Sequence, residues 1–125
     1  MDNCIFCNIN SSEIIAENKF VFAVLDKFPV NEGHALIITK RHFESFFDAS
    51  EEEIVAIYSL MHELKEMFDV QYEPAGYNVG INIGYAAGQT IMHLHLHFIP
   101  RYNGDVENPR GGIRKLKMNL VDYDG

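Results

Sequence analysis

The chain has 125 residues, of which 47% are hydrophobic and 22% are charged, and its formal net charge is −8. Its length is typical of one domain with its own core. The acidic balance argues against broad binding to nucleic acid or to an anionic membrane, both of which need a basic surface, although a few donors in a cleft could still bind a small anion.

The first feature in chain order is the Cys-x-x-Cys pair of Cys4 and Cys7. No signal peptide precedes it and no apolar run in the chain could cross a bilayer, so we expect a cytoplasmic protein, in which a structural disulfide would be rare. Three interpretations remain: zinc ligands, a redox pair or a chance spacing. A redox pair usually opens a helix in a thioredoxin-like unit, which is missing from this sequence. A structural zinc would need about two further nitrogen or sulfur ligands.

The middle of the chain predicts two strands and one helix. The apolar runs 20–26 and 34–40 flank a turn at 27–33, as in an antiparallel hairpin. Ser50 and Glu53 fit a capping box, which predicts a helix from Ser50 to about Val70. We expect His62 to lie on its solvated side. The predicted apolar face consists of Ile54, Ile57, Tyr58, Met61, Leu64 and Phe68.

The last third predicts two more strands. One lies within residues 73–84 after a Pro-Ala-Gly turn, and the other covers 91–100, where Pro100 should end the ladder. Residues 106–125 form a tail that should be mostly irregular. The order strand, strand, helix, strand, strand favours an α+β fold with the helix on one face of an antiparallel sheet.

Three of the six histidines alternate with apolar residues in "MHLHLHF" (92–98). In a strand, His93, His95 and His97 would share one face, and Met92, Leu94, Leu96 and Phe98 would pack into the core. The histidines could be structural, could bind one metal, or could divide the work of an enzyme. One metal is disfavoured because positions i and i+4 of a strand are roughly 13 Å apart, whereas zinc ligands converge at about 2.1 Å. We therefore favour one histidine for chemistry and neighbours that orient and donate.

The loop before these histidines has the composition of an anion site. Gly84 and Gly88 allow close approach of backbone N–H groups, and Gln89 and Thr90 add side-chain donors. Small-residue turns are common, so the loop alone is a weak signal.

Together these residues resemble the histidine triad (HIT) family. "HLHLHFI" (93–99) fits its His-φ-His-φ-His-φ-φ signature, where φ is hydrophobic. "LDKFPVNEGHALIITKRH" (25–42) resembles its other hallmark, and "CIFCNI" (4–9) resembles the opening of its zinc-containing members. The "AGQT" before the triad and the "PR" and "GD" after it are closer to fragile-histidine-triad-type dinucleoside polyphosphate hydrolases. The resemblance covers a core of about 4–105 in a single domain of 1–125.

The resemblance implies a fold, an assembly and a reaction. The fold would be one long helix on a five-stranded antiparallel sheet, and two copies would join their sheets into a homodimer. The reaction would be cleavage at the α-phosphate of a dinucleoside polyphosphate through a nucleotidyl-histidine intermediate. Alternatives are a purine nucleoside phosphoramidase, a nucleotide-binding regulatory module with low turnover, and a scaffold in which the triad only holds metal.

The resemblance also implies roles for residues. His95 would be the nucleophile, with its other ring N–H held by a backbone carbonyl, and His97 would donate to the phosphate or leaving group. Gln89, Thr90 and the backbone of the loop at Gly88 would stabilise the phosphoryl oxygens. For the purine nucleotide, Phe6 and Ile9 would line the base pocket, Asp26 would bind the ribose and Asn82 would orient the phosphate and nucleoside.

Two further assignments concern histidines outside the catalytic pair. His42 and His93 would complete a structural zinc site with Cys4 and Cys7, and the chemistry itself would need no metal. His34 would be a buried residue that supports the triad, or else a strand-end histidine capped by backbone.

Overall fold

Five strands form one antiparallel sheet in the computed structural model, which describes residues 3–117. The strands lie in the order β1-β2-β3-β5-β4, and α1 connects β3 to β4. Their bounds are β1 Ile14–Glu17, β2 Val21–Leu25, β3 Ala35–Thr39, α1 Glu51–Gln71, β4 Gly76–Gly80 and β5 His95–Arg101. This confirms the predicted α+β fold with five strands and one long helix. β1 is the strand that the residue pattern alone did not locate.

The last two strands differ from the predicted ranges. β4 ends at Gly80 and does not continue to residue 84, and β5 begins at His95, after a bend at residues 91–93. Pro100 does not end the ladder, since it pairs with Tyr77 and β5 continues to Arg101. The pairing of β5 with β3 stops at Phe98, so Pro100 has a strand on one side only and its missing N–H is tolerated there.

Both faces of the sheet are covered. Alternate residues of β3 face opposite sides: Ala35 and Ile37 pack with α1, whereas Leu36 and Ile38 pack with Phe6 of the N-terminal segment. This two-sided burial explains why the central strands are continuously apolar. Leu94, Leu96 and Phe98 lie in the helix-side core as predicted, but Met92 is exposed because it belongs to the bend.

The helix begins at the predicted capping box. The Ser50 hydroxyl accepts from the Glu53 N–H at 3.1 Å, and the Glu53 carboxylate accepts from the Ser50 N–H at 2.9 Å. Tyr58 was assigned to the buried face but is 61% exposed, and Ala56 and Leu60 are buried instead. His62 is exposed as expected. The buried positions are Glu53, Ala56, Ile57, Leu60, Leu64 and Phe68.

The described part of the tail, residues 106–117, is irregular apart from a short 3₁₀ turn at Gly112–Lys115, and residues 118–125 lie outside the described range. Within residues 3–117, no helix has the length and apolarity required to cross a membrane.

Candidate active site

A cavity of about 580 Å³ opens on the face of the sheet opposite α1. All the predicted nucleotide-binding residues except Gln89 lie on its wall. They are Phe6, Ile9, Asp26, Asn82, Gly88, Thr90, His95 and His97. The wall therefore combines apolar side chains with a few polar groups, which is the usual character of a small-molecule site.

His95 is held in one tautomer by the backbone. Its Nδ1 lies 2.8 Å from the carbonyl oxygen of His93. A carbonyl can only accept, so Nδ1 carries the proton and Nε2 of the neutral ring keeps its lone pair. The arrangement leaves a nucleophilic nitrogen on a residue of the cavity wall.

His97 belongs to a chain of hydrogen bonds that also fixes its tautomer. The Val30 N–H donates to Nδ1 of His34 at 3.0 Å, so neutral His34 carries its proton on Nε2. That Nε2 lies 3.0 Å from Nδ1 of His97, which must then accept. Neutral His97 is left with an N–H on Nε2. The chain ends in a hydrogen-bond donor at the cavity.

The surroundings of His34 and His97 keep both rings neutral. Burial lowers the pKa of His34, and the nearby Asp26 carboxylate partly opposes that shift. Burial also lowers the pKa of His97, and the rings of His95 and His34 lower it further. His34 is therefore both buried and in contact with the triad, while the Val30 N–H occupies its other ring nitrogen.

Asp26 follows β2 and lies beside the hydrogen bond between His34 and His97. One carboxylate oxygen accepts from the Phe28 N–H at 2.9 Å, and the other lies 3.4 Å from Nε2 of His34. The side chain is partly exposed on the cavity wall, so lone pairs of its oxygens remain for a ligand.

The loop at 84–89 is closed on itself. The Gly84 N–H donates to Oε1 of Gln89 at 2.9 Å, and the Gln89 N–H donates to the Gly84 carbonyl at 3.1 Å. Gly84 and Gly88 have φ of 88° and 98°, in the region that favours glycine. Gly88 and Thr90 lie on the cavity wall.

Gln89 itself does not line the cavity. Its Nε2 donates to the carbonyls of Glu44 and Ile91 at 3.1 and 3.2 Å, and the residue is 3% exposed. The described geometry therefore does not provide the predicted contact between this side chain and a phosphate. The side chain instead braces the loop that carries Gly88 and Thr90.

Four potential metal ligands meet in a cluster outside the lining of the cavity. Nδ1 of His93 lies 3.4 Å from Sγ of Cys4, 3.5 Å from Sγ of Cys7 and 3.1 Å from Nδ1 of His42. Sγ of Cys7 lies 3.2 Å from Nδ1 of His42. A tetrahedral zinc separates its ligand atoms by about 3.3–3.8 Å, from bond lengths of roughly 2.0–2.3 Å. The donor set and its spacing fit zinc.

The ring of His93 is oriented for such a site. Its Nε2 lies 2.7 Å from the Thr39 carbonyl, so Nε2 carries the proton and Nδ1 presents a lone pair to the cluster. A second group of possible ligands, Asp26, His34 and His97, also comes together. It fits a cation poorly, because the Val30 N–H bond keeps a proton on Nε2 of His34, the atom that would bind the cation.

Several wall residues were not predicted. Glu13 and Lys27 form an ion pair at 3.8 Å, and Phe28 is 88% exposed at the rim. An aromatic residue inside the turn predicted at 27–33 was a sequence signal that could have indicated Phe28. Glu13 belongs to a 3₁₀ turn of the N-terminal segment. The sequence around it contains no motif that would indicate a residue of the cavity wall. Other wall residues that were missed are Asn8, Asn10 and Ile91.

Comparison with known proteins gives consistent matches. Residues 8–104 match the HIT domain. An uncharacterised HIT-like protein of Methanocaldococcus jannaschii is 41% identical over 130 residues, covering 97% of this chain and 93% of that protein. An AP-4-A phosphorylase of Mycobacterium tuberculosis is 32% identical over 112 residues, covering 87% of this chain and 57% of the phosphorylase. The crystal structure of a Zn-bound histidine triad family protein from Mycobacterium smegmatis is 32% identical, with a TM-score of 0.77 over 86% of this chain and 81% of that one.

Proposed function

This chain belongs to the HIT family, and we propose that it is a nucleotide hydrolase or transferase that forms a covalent nucleotidyl intermediate on His95. The observation that carries the proposal is the 2.8 Å bond from Nδ1–H of His95 to the His93 carbonyl, which reserves Nε2 for attack. The M. tuberculosis relative is named for activity on AP-4-A, which makes a dinucleoside polyphosphate the favoured substrate.

In the first step, Nε2 of His95 attacks the α-phosphorus. The N–P bond forms, the P–O bond to the rest of the polyphosphate breaks, and the electron pair leaves with that oxygen. Covalent catalysis of this kind divides one displacement into two easier ones. The Nδ1–H bond to the carbonyl stabilises the positive charge that develops on the ring.

Donors around the phosphate stabilise the charge on its oxygens. Thr90, Asn82, Gly88 and His97 all line the cavity, which supports this role. In the proposed reaction, Nε2–H of His97 donates to the phosphate or the leaving oxygen. Gln89 contributes by holding the loop closed. Phe6 and Ile9 form the apolar side of the purine pocket, and Asp26 accepts from the ribose hydroxyls.

The state of His97 favours a polyphosphate over a phosphoramidate. A leaving phosphate departs as an anion and needs a hydrogen-bond donor, which neutral His97 provides. A leaving amine needs a whole proton, and the lowered pKa of His97 leaves little imidazolium to supply it at neutral pH. Purine nucleoside phosphoramidase activity is therefore the second candidate.

The second step decides between hydrolase and transferase. Attack of water on the nucleotidyl-histidine breaks the N–P bond and releases AMP, whereas attack of inorganic phosphate releases ADP. The relative named as a phosphorylase makes phosphate an acceptor worth testing alongside water.

The experiment measures AMP and ADP, the products of attack by water and by inorganic phosphate. The protein is incubated with diadenosine tetraphosphate or with adenosine 5′-phosphoramidate, with and without inorganic phosphate, and nucleotides are quantified by chromatography. We expect AMP from the first substrate, with ¹⁸O in its phosphate when the solvent is H₂¹⁸O, and none with His95→Ala. Unchanged turnover by His95→Ala would refute the nucleophile. Tight AMP binding without turnover would favour the regulatory module.

We also propose a structural zinc on Cys4, Cys7, His42 and His93, where it would tie the N-terminal segment to the sheet. Four protein ligands close its coordination, so it supplies stability and takes no part in the displacement. Metal analysis of protein purified without chelator should give about one zinc per chain, and Cys7→Ser should lose it.

We propose a homodimer through β4 as the quaternary state. Within residues 3–117, β4 pairs with β5 on one side and with no strand on the other, so it offers a row of backbone donors and acceptors to a second copy. Sedimentation velocity should give the mass of a dimer. A monomer at micromolar concentration would refute this part.

A further inference from the structure

The N-terminal turn at residues 4–7 connects the metal cluster to the nucleotide cavity. Phe6 lies between the two cysteines in the sequence and is 6% exposed. Its ring contacts that of His95 edge to face, with centroids 4.9 Å apart, and that of His93 at 6.0 Å. The same ring lines the cavity. Any shift of the cysteines therefore moves a side chain that touches both the nucleophile and the ligand space.

His93 makes a second connection. Its Nδ1 faces the cluster and its Nε2–H donates to the Thr39 carbonyl. Its own backbone carbonyl accepts a hydrogen bond from Nδ1–H of His95. The next residue is fixed as well, since the Leu94 N–H donates to the Phe43 carbonyl at 2.7 Å. One residue thus presents its ring to the cluster and its carbonyl to the nucleophile.

The buried ring of Phe6 packs the turn against the sheet, and the polar contacts of the turn add little to that hold. The backbone bonds of the turn are internal, from the Cys7 N–H to the Cys4 carbonyl at 3.2 Å and from the Asn8 N–H to the Ile5 carbonyl at 3.3 Å. The two thiols make the polar contacts of the turn with His42 and His93, and a thiol is a weak hydrogen-bonding group. A metal would replace these weak contacts with coordinate bonds.

We propose that occupancy of the Cys4, Cys7, His42 and His93 cluster sets the nucleotide affinity of the cavity, with Phe6 and His93 as positioning residues. This inference rests on the proposed function, because it concerns the same cavity. Loss of metal removes one restraint on the turn and one on His93, so the Phe6 wall and the carbonyl that fixes the His95 tautomer gain freedom to move. The contact between the rings of Phe6 and His95 corresponds to a factor of about 2 to 13 in an equilibrium constant, so we expect nucleotide affinity to fall by up to about tenfold.

The test measures AMP binding by calorimetry, which needs no turnover. The samples are wild-type protein with ZnCl₂, the same protein after chelation, and that protein refilled with ZnCl₂. Chelation should raise the Kd for AMP by up to about tenfold, and ZnCl₂ should restore it. Cys7→Ser should reproduce the chelated state, and His62→Ala, which removes an exposed histidine outside the cluster, should bind AMP like wild type.

A double-mutant cycle assigns the effect to Phe6. If the metal acts through this ring, Phe6→Ala should weaken AMP binding and the Phe6→Ala, Cys7→Ser double variant should be no weaker than the worse single variant. Additive losses would overturn the role of Phe6. Circular dichroism and the melting temperature check that each variant is folded. If Cys7→Ser is not folded, chelated wild-type protein still tests the effect of metal loss.

A spectroscopic measurement separates positioning from general stability. The ¹⁵N shifts of the His95 ring should report protonation at Nδ1 in the zinc-loaded protein and a mixture of tautomers after chelation. Equal AMP affinity and equal ¹⁵N shifts in both states would overturn the coupling. Failure of zinc-loaded wild type to bind AMP at all would instead overturn the proposed function and the coupling with it.

Discussion

Replacing His34 tests whether a buried histidine sets the proton on His97. His34 touches the cavity only through its neighbours: its Nε2–H donates to Nδ1 of His97 at 3.0 Å and lies 3.4 Å from Asp26. In His34→Ala the donor is gone and Nδ1 of His97 lacks a partner. The ring can recover by moving its proton from Nε2 to Nδ1, which removes the donor that faces the phosphate.

The size of the effect follows from that lost bond. A hydrogen bond to a charged group, here from His97 to the leaving oxygen, contributes about 1.5–3 kcal/mol. Since each 1.36 kcal/mol corresponds to a factor of about ten in rate, kcat/KM for diadenosine tetraphosphate should fall by roughly 10–150-fold. AMP affinity should change much less, because the donor matters most when charge builds up on the leaving oxygen.

The assay compares initial rates of wild type, His34→Ala and His34→Gln. The glutamine amide keeps an N–H donor at a similar reach, so His34→Gln should recover most of the activity, and His62→Ala should equal wild type. The reasoning is refuted if His34→Ala stays within twofold of wild type. It is equally refuted if His34→Gln is as slow as His34→Ala while both variants are folded.

Three further predictions follow from the same structure. Burial lowers the pKa of His34 and His97, so the folded state binds fewer protons than the unfolded state; stability is intact above about pH 6.5 and falls as the pH drops below it. Melting temperatures at pH 8 and pH 5.5 should show that loss, with a smaller loss in His34→Gln. Gly88→Ala places a side chain at φ 98°, at a strain of about 1–3 kcal/mol, and should raise KM, whereas Gly76→Ala on β4 meets open space and should not. Arg41→Met removes the ion-pair partner, at 2.7 Å, of the 3%-exposed Glu53 carboxylate. It should lower the melting temperature more than Lys40→Met does, because the ion pair of Lys40 with Glu17 is exposed.

The helix shows which parts of the fold could be predicted from local rules. Its start depends on Ser50 and Glu53, three residues apart, and both bonds of the capping box are present. Its buried face depends on what packs against it. A period of 3.6 residues allowed Tyr58, but the sheet covers Ala56 and Leu60 instead. A pattern within one segment gives the element, and contacts between segments give its orientation.

The residues of the candidate site show the same difference between local patterns and contacts across the fold. His95 and His97 could be predicted because strand alternation is a local rule and both lie within β5. The direction of Gln89 could not, since it depends on the backbone carbonyl of Glu44, 45 residues away in the chain. Glu13 and Lys27 meet across the wall for a similar reason: they belong to segments that approach only when the fold is complete.

His93 is the residue for which the departure from the predicted strand matters most. Had β5 begun at residue 91, His93 would be one more strand residue beside His95, and strand pairing would compete for its backbone groups. With the bend at 91–93, Nδ1 of its ring lies 3.4–3.5 Å from the two thiols, and its carbonyl accepts from Nδ1–H of His95. The same bend therefore offers a ligand to the proposed zinc and fixes the tautomer of the proposed nucleophile. If both proposals hold, the first histidine of the triad has a reason to be a histidine although the proposed displacement does not use it.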